Sequence, residues 1–260
     1  MGGILLKLIL LTPAAGKRLI GKAVAKMICA SEAIRTGMVI VVAGTTNAYV
    51  AEELLSRIGL SEEFLSRHFF RGITTANHKD TDEAGRLKSD SAFFGDVVID
   101  QGRYVSGKTI EDVIERVGSG DVIVKGANFV NRSAGTAGIL IGHPQGGTIM
   151  KAIPAVIGRR ARLILPVGLE KRVCENIHEV AGLMNAPGAS GFRMMPVSGE
   201  IITEIEAMKI LYGIDTRLVA AGGVSGAEGA IWLATEEASE ISDEVSRALD
   251  EISREKPFEK

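Results

Sequence analysis

Cysteine and histidine are scarce in this chain, and the few present are not spaced for metal or redox chemistry. Two cysteines, Cys29 and Cys174, occur in 260 residues. They form no Cys-x-x-Cys or Cys/His pattern, so neither a zinc knuckle nor a redox pair is expected, and each reads as a small buried hydrophobe. The four histidines show no His-x-x-x-His or His/Cys spacing, so no metal site is expected. Basic excess is also lacking: 30 Lys and Arg stand against 32 Asp and Glu. That balance carries no footprint of a nucleic-acid or membrane partner. A run of about 20 apolar residues, the length that spans a bilayer, does not occur. The apolar opening is interrupted by Lys7, ends at Thr12-Pro13 and lacks the charged start of a secretory signal, so a cytoplasmic protein is the default expectation. There is no repeat of fixed period and no low-complexity tract.

What is present is an ordinary globular composition, 46% hydrophobic and 24% charged, in a chain long enough to bury a sizeable core. Thr12-Pro13 supplies a capping hydroxyl and a proline at the first helical position, predicting a helix through Leu19, Ile20, Val24, Met27 and Ile28. A strand is expected at 38–43, a helix at 47–58, and a short helix turning into a strand near 69–74. Residues 75–92 are polar without a sustained period and read as a long surface loop. Residues 96–100 and 103–107 flank Gln101-Gly102 as a hairpin. Then follow a helix at 109–116, strands at 121–125 and 136–142, a helix at 147–158, a strand at 161–167 and a helix at 170–183. The Gly-, Pro- and Ser-rich stretch after it, near 184–200, either marks a lobe boundary or holds a short strand at 193–197. A helix at 203–212, a strand at 216–221, a helix from about 227 and an acidic amphipathic helix at 240–255 complete the pattern. Strands alternating with helices imply a single α/β domain over 1–260, built on a mostly parallel, doubly wound sheet with helices on both faces.

In such a sheet ligands gather where strands deliver loops into helix N-termini. Gly44, Thr45, Thr46 and Asn47 follow an apolar strand and open a helix. The glycine lets backbone approach a ligand, while the hydroxyls and amide stand beside free N–H groups that favour an anion. The alternative reading of Thr46 or Asn47 is a plain helix cap. Lys125 ends another apolar strand, where an ammonium must find water or a partner. It is a candidate for neutralising a phosphate or an enediolate, with Gly126 and Asn128 beside it, or else a lysine reaching for solvent. Asp100 is a candidate general base or an ordinary turn residue. His143, Gln145, Gly146 and Gly147 join a buried strand to a helix, and a histidine there could move a proton. Gly222, Gly223, Ser225 and Glu228 lie in what reads as another strand-to-helix junction. Its glycine spacing departs from the dinucleotide fingerprint and no acidic strand end follows, so NAD is not expected and no cofactor is assigned. The Ala14-Ala15-Gly16-Lys17-Arg18 stretch lacks the residues of a phosphate-binding P-loop and reads as an exposed helix turn.

A strand ending in Gly44-Thr45-Thr46, a later strand ending at Asp100-Gln101-Gly102 and a Lys125-Gly126 strand end resemble the motif order of the superfamily of ribose-5-phosphate isomerases, DeoR-type sugar sensors and coenzyme A transferases. The similarity spans roughly residues 38–170. It implies that Gly44, Thr45 and Thr46 form the phosphate loop, that Asp100 falls near the acidic loop of the isomerases, and that Lys125 matches their Lys-Gly-Gly lysine. The chain departs from the isomerases at Asp100-Gln101-Gly102, where their acidic motif is fuller, and at Asn128 to Arg132, where they carry a glutamate. It also lacks the segment that places the transferases' nucleophilic glutamate. The expectation is a protein binding a small phosphorylated metabolite, a sugar phosphate or nucleotide. Aldose–ketose isomerisation is the expected reaction if it turns the ligand over, with Asp100 or His143 moving the proton. The competing expectations are a non-catalytic sensor or regulatory subunit, homo-oligomeric through the stripe Ile241, Val245, Leu249 and Ile252 of the tail helix, and a coenzyme A-dependent transferase.

Overall fold

The computed structural model describes residues 6–60, 64, 66–72, 93–236 and 241–258; the surface loop expected at 75–92 lies outside them. Strand β1 (Lys7–Leu11) leads into α1 (Pro13–Cys29), where the Thr12 hydroxyl accepts from the Ala15 N–H at 3.2 Å. After α2 (Ala33–Thr36) come β2 (Met38–Val41) and α3 (Thr45–Arg57). One helical turn at Ser66–His68 precedes Phe69 to Gly72, whose described residues form no strand. The hairpin of β3 (Val97–Asp100) and β4 (Arg103–Tyr104) turns on Gln101 and Gly102, both at positive φ, 49° and 78°. Two left-handed residues make the tight turn whose twist matches its strands.

The next elements are α4 (Ile110–Val113), β5 (Val122–Val124), β6 (Phe129–Asn131), β7 (Thr136–Ile141), α5 (Gly147–Ile153), β8 (Arg162–Pro166) and α6 (Ile177–Met184). Pro154, which has no N–H to continue the ladder, ends α5 in one wider turn. The helix expected from 170 is instead a single turn at Leu169–Lys171, with α6 starting later at its Asn176 cap. The chain closes with β9 (Arg193–Val197), β10 (Glu200–Ile202), α7 (Glu204–Tyr212), β11 (Arg217–Ala221), β12 (Ile231–Thr235) and α8 (Asp243–Ser253).

The class is mixed α/β. A central sheet runs β10-β8-β5-β2-β3-β4, parallel from β10 to β2 and antiparallel beyond. Two further sheets, β1-β12-β11 and β6-β7-β9, are antiparallel throughout. Three described pairings are thus parallel and six antiparallel, so the expectation of a mostly parallel sheet holds only for the four strands from β10 to β2. A two-residue turn can join only antiparallel neighbours, which accounts for β3–β4, whereas β2–β3, β7–β9 and β1–β12 pair across long stretches of chain.

Alternation along the central strands sends Val39, Val41, Val122, Val124 and Ile164 to one face, against residues of α1, α3 and α7. Met38, Ile40, Ile123, Leu163 and Leu165 go to the other, with Val113 of α4 and Ile149 of α5. Gly21 of α1 lies so close to α3 that a Cβ there would stand 2.9 Å from the Tyr49 backbone. Gly21→Ala is therefore expected to destabilise. Overpacking costs about 1–3 kcal/mol, which outweighs the roughly 1 kcal/mol that alanine gains in helix propensity, and the urea midpoint should fall.

Four local expectations are corrected. The helix placed from about 227 is β12, because Ile231 to Thr235 alternate about a sheet whose inner residues, Ile231 and Leu233, are buried with Ile9 and Leu11. The tail-helix stripe is no free interface: Leu249 and Ile252 are buried in the chain's own core, with Ile241 and Val245 packed against it. Cys174 is exposed and Cys29 half-buried. Gly16 is buried inside α1 rather than lying in an exposed turn.

Candidate functional site

The carboxyl ends of β2, β5 and β8 point the same way, as parallel pairing requires, and the chemistry-bearing residues collect there. Beyond β2, the Ala43 N–H donates to Asp96 Oδ1 at 2.9 Å and the Gly44 N–H to the Phe69 carbonyl at 3.0 Å. Gly44 then starts α3 with no side chain capping it. That corrects the reading of Thr46 or Asn47 as the cap: both sit inside the first turn, almost fully buried. Asn47 donates through Nδ2 to the carbonyls of Val42 (2.7 Å) and Val124 (3.2 Å), tying the ends of β2 and β5 together. This fixes the amide's orientation, leaving Oδ1 buried and unpartnered, on the side of Gly126. The Thr46 hydroxyl is likewise buried without a partner.

Lys125 follows β5. The described hydrogen bond of its ammonium is a long one, 3.4 Å to the Gly126 carbonyl. Burial pushes it from the usual 10.5 down to about 8; Arg71 and Lys171 add to the effect and Asp96 opposes it. Arg71 lies over the Phe93 ring, 3.9 Å from Asp96 Oδ1, and its Nε has no partner. Asp96 is fully buried and already occupied, Oδ1 by the Ala43 N–H and Oδ2 by the Ile110 N–H at 2.8 Å.

Beyond β8, Glu170 carries two buried, unpartnered carboxylate oxygens that fold back over Gly168, where any Cβ would collide with them. Lys171 donates to the Ala127 carbonyl at 3.1 Å, and burial lowers its pKa. Glu204, the first residue of α7, is 2% exposed and accepts from the Leu169 N–H at 2.9 Å. Burial first, and the Glu170 carboxylate second, push its carboxyl up to about 8. A side chain at Gly16 would strike Glu204 Oε1, so that glycine shapes the carboxyl's seat. Of the eight buried side-chain polar atoms without a partner among the described residues, five belong to Thr46, Asn47, Arg71 and Glu170. Orphaned groups cost free energy unless something satisfies them, and among the described residues most of them belong to this set.

The sequence-derived candidates divide accordingly. Gly44, Thr45, Thr46, Asn47, Lys125 and Gly126 come together. Asp100 does not: β3 runs antiparallel to β2, so Asp100 pairs with Met38 at the opposite end of the sheet, where it holds Arg116 at 2.6 Å. Its place at the site is taken by Asp96, at the other end of the same strand. Asn128 spends its Oδ1 on the Leu140 N–H, clamping β7. His143 accepts through Nδ1 from the Gln145 N–H and its carbonyl from the Gly146 N–H, with Gly147 at φ 61°, so this turn's hydrogen bonds are internal. Gly222, Gly223, Ser225 and Glu228 are exposed in the β11–β12 hairpin loop, which corrects their placement at a helix start; Glu228 accepts there from the Gly226 N–H. Only the base of that loop reaches the site, where Gly229 packs beside Glu170 and Pro13.

Arg71, Asp96, Glu170, Lys171 and Glu204 escaped the sequence reading. A search for charged residues just beyond each apolar parallel strand would have found Glu170 and Lys171 along with Lys125. Two surface cavities lie away from this cluster. One, of about 410 Å³, is lined by Arg18, Tyr49, Glu52 and Phe258, and Arg18 already pairs there with Glu52, Glu53 and Glu255. The other, of about 320 Å³, lies among Asn131, Thr136, Cys174 and His178. Unsatisfied buried groups weigh more than volume, so the strand-end cluster is the better candidate. Among the described residues no group of acidic, His and Cys side chains could hold a metal, and no helix is long and apolar enough to cross a membrane. Comparison of the chain with protein-family models, curated proteins and solved structures gave no match.

Proposed function

We propose that the strand-end cluster binds a small phosphorylated metabolite, a sugar phosphate or nucleotide, at the carboxyl edge of the central sheet. The observation that carries this reading is the set of unpartnered buried polar atoms on Arg71 and on the segments that follow β2 and β8, with Arg71 and Lys171 near enough to Lys125 to lower its pKa. Three cationic side chains, Lys125, Arg71 and Lys171, share the site with the uncapped start of α3 and the Thr46 hydroxyl. Asp96 already has its hydrogen bonds from backbone N–H groups. Such a set suits an anion with several acceptor oxygens, as phosphate has. The resemblance to the sugar-phosphate isomerase superfamily agrees with the Gly44 to Asn47 loop and with Lys125, and the proton-transfer roles pass elsewhere. Asp100 is at the wrong edge, and Asp96, which has its place, is held by backbone N–H groups, so the proton-transfer roles fall to the carboxyls of Glu170 and Glu204. For aldose–ketose isomerisation, Glu170 would take the proton, Glu204 would give one, and Lys125 would meet the carbonyl group.

Calorimetric titration against a panel of sugar phosphates and nucleotides tests the binding, and no uptake by any member would overturn it. Stabilisation by a ligand without turnover would assign the site to sensing. Thr46→Val keeps the shape and removes the hydroxyl. A hydrogen bond to a charged group is worth about 1.5–3 kcal/mol, so affinity for a phosphorylated ligand should fall roughly 10- to 100-fold, and that for its dephosphorylated form far less. Equal losses would leave the hydroxyl a packing role.

A further inference from the structure

We infer that Lys125 is a nucleophile that captures the aldehyde or ketone group of the ligand as an imine, a role that rests on the phosphate-binding reading above. A lysine that serves only as a counter-charge keeps its ammonium charged, usually by pairing with a carboxylate. Lys125 is placed otherwise. The carboxylate beside it, Asp96, is held by the N–H groups of Ala43 and Ile110, with the Arg71 guanidinium 3.9 Å away. From β8's side it faces Lys171, tied to the Ala127 carbonyl, and beyond Lys171 lie Glu170 and Glu204. Two cations and an occupied carboxylate around a half-buried amine favour its neutral, nucleophilic form, the arrangement that activates lysines toward carbonyls. Arg71 and Lys171 remain to hold the phosphate.

The step balances without any further reactant. The Nζ lone pair attacks the carbonyl carbon, the C=O π bond breaks, and one amine proton passes to the oxygen, giving a carbinolamine. The C–O bond then breaks, and the oxygen leaves as water with the second amine proton while the C=N bond forms. The buried, unpartnered Asn47 Oδ1, on the side of Gly126, is an acceptor suited to the hydroxyl or N–H of the carbinolamine. The substrate class is thereby narrowed to phosphorylated aldehydes and ketones. An imine would also acidify the adjacent C–H, which fits carboxyls placed for proton transfer.

The test is reductive trapping. The full chain is incubated with glyceraldehyde 3-phosphate or dihydroxyacetone phosphate, treated with borohydride, and mapped by peptide mass spectrometry. One reduced ligand is expected on the peptide containing Lys125. Its yield should fall when inorganic phosphate competes, and the adduct should be missing from Lys125→Arg, whose folding is checked by its melting transition. Trapping should become faster as pH rises through about 8, where the amine loses its proton. Binding seen by calorimetry with no adduct, or with one spread over surface lysines equally in Lys125→Arg, would overturn the nucleophile and leave the phosphate site standing. Neither binding nor adduct would overturn both.

Discussion

Lys125→Met is expected to make the protein more stable and a poorer binder at once. Below pH 8 the parent carries a buried ammonium whose ionisation is depressed from 10.5 to about 8 by burial and by Arg71 and Lys171. Each pH unit of such a displacement is worth about 1.4 kcal/mol. Because Lys125 is not wholly sealed from water, the gain expected from methionine is on the order of 2 kcal/mol, not the full amount. The sign follows from proton linkage. Between about 8 and 10.5 the unfolded lysine holds a proton that the folded one has released, so parent stability rises with pH across that window. The advantage of the methionine variant should therefore be constant below pH 8 and vanish toward pH 10.5. Denaturant titrations at several pH values measure it. Removing the amine that captures the ligand's carbonyl should weaken binding of a phosphorylated aldehyde or ketone more than that of a phosphorylated ligand with no carbonyl. A stabilised variant that binds as well as the parent would mean that the buried lysine has no ligand. Stability sacrificed at a site is the usual mark of function.

The parts of this architecture that were legible in the sequence are those fixed by neighbours in the chain. Thr12-Pro13 announced α1, Gln101-Gly102 the β3–β4 turn, and apolar runs β2, β5 and β8. Lys125 stood out because a charge ending a buried strand has few structural reasons to be there. What failed depended on direction and distant packing. Asp96 and Asp100 bracket one buried strand, and which of them reaches the site depends on whether β3 runs with or against β2. That was decided by a pairing outside the segment itself. Residues 231–235 are a short apolar run after glycines, equally compatible with a buried helix or strand until β1 is known to pair with them. Glu204 was hidden by its address. Behind Thr203 and beside the Thr203–Glu206 capping box it reads as one more acidic residue in a helix's first turn, where it complements the helix dipole. Only the fold brings Glu170 and Gly16 against it.

Glu204→Gln should reveal what that address conceals. With its carboxyl raised from 4.5 to about 8 by burial and by Glu170, folded Glu204 keeps its proton over a range where the unfolded residue has lost it. Parent stability should therefore decline as pH rises from about 4.5 toward 8. Glutamine imitates the protonated acid, and its amide oxygen can still accept from the Leu169 N–H. The variant's stability curve should be flatter, crossing the parent's near mildly acidic pH and exceeding it by a few kcal/mol near pH 8, by the worth of a pKa displacement. Lys171, close enough to feel both carboxyls, provides the alternative outcome. Were Glu204 ionised and paired with it, glutamine would destabilise at every pH above 5, and the protonated-acid role would be lost. The opposite slopes of Glu204 below pH 8 and Lys125 above it place a stability minimum of the parent near pH 8. Each single variant should remove one side of that minimum, and the double variant both. The two groups that set it are those assigned to proton transfer and to carbonyl capture, so mapping this minimum by denaturant titration tests, without any ligand, whether the protein holds an acid and an amine near their working pH.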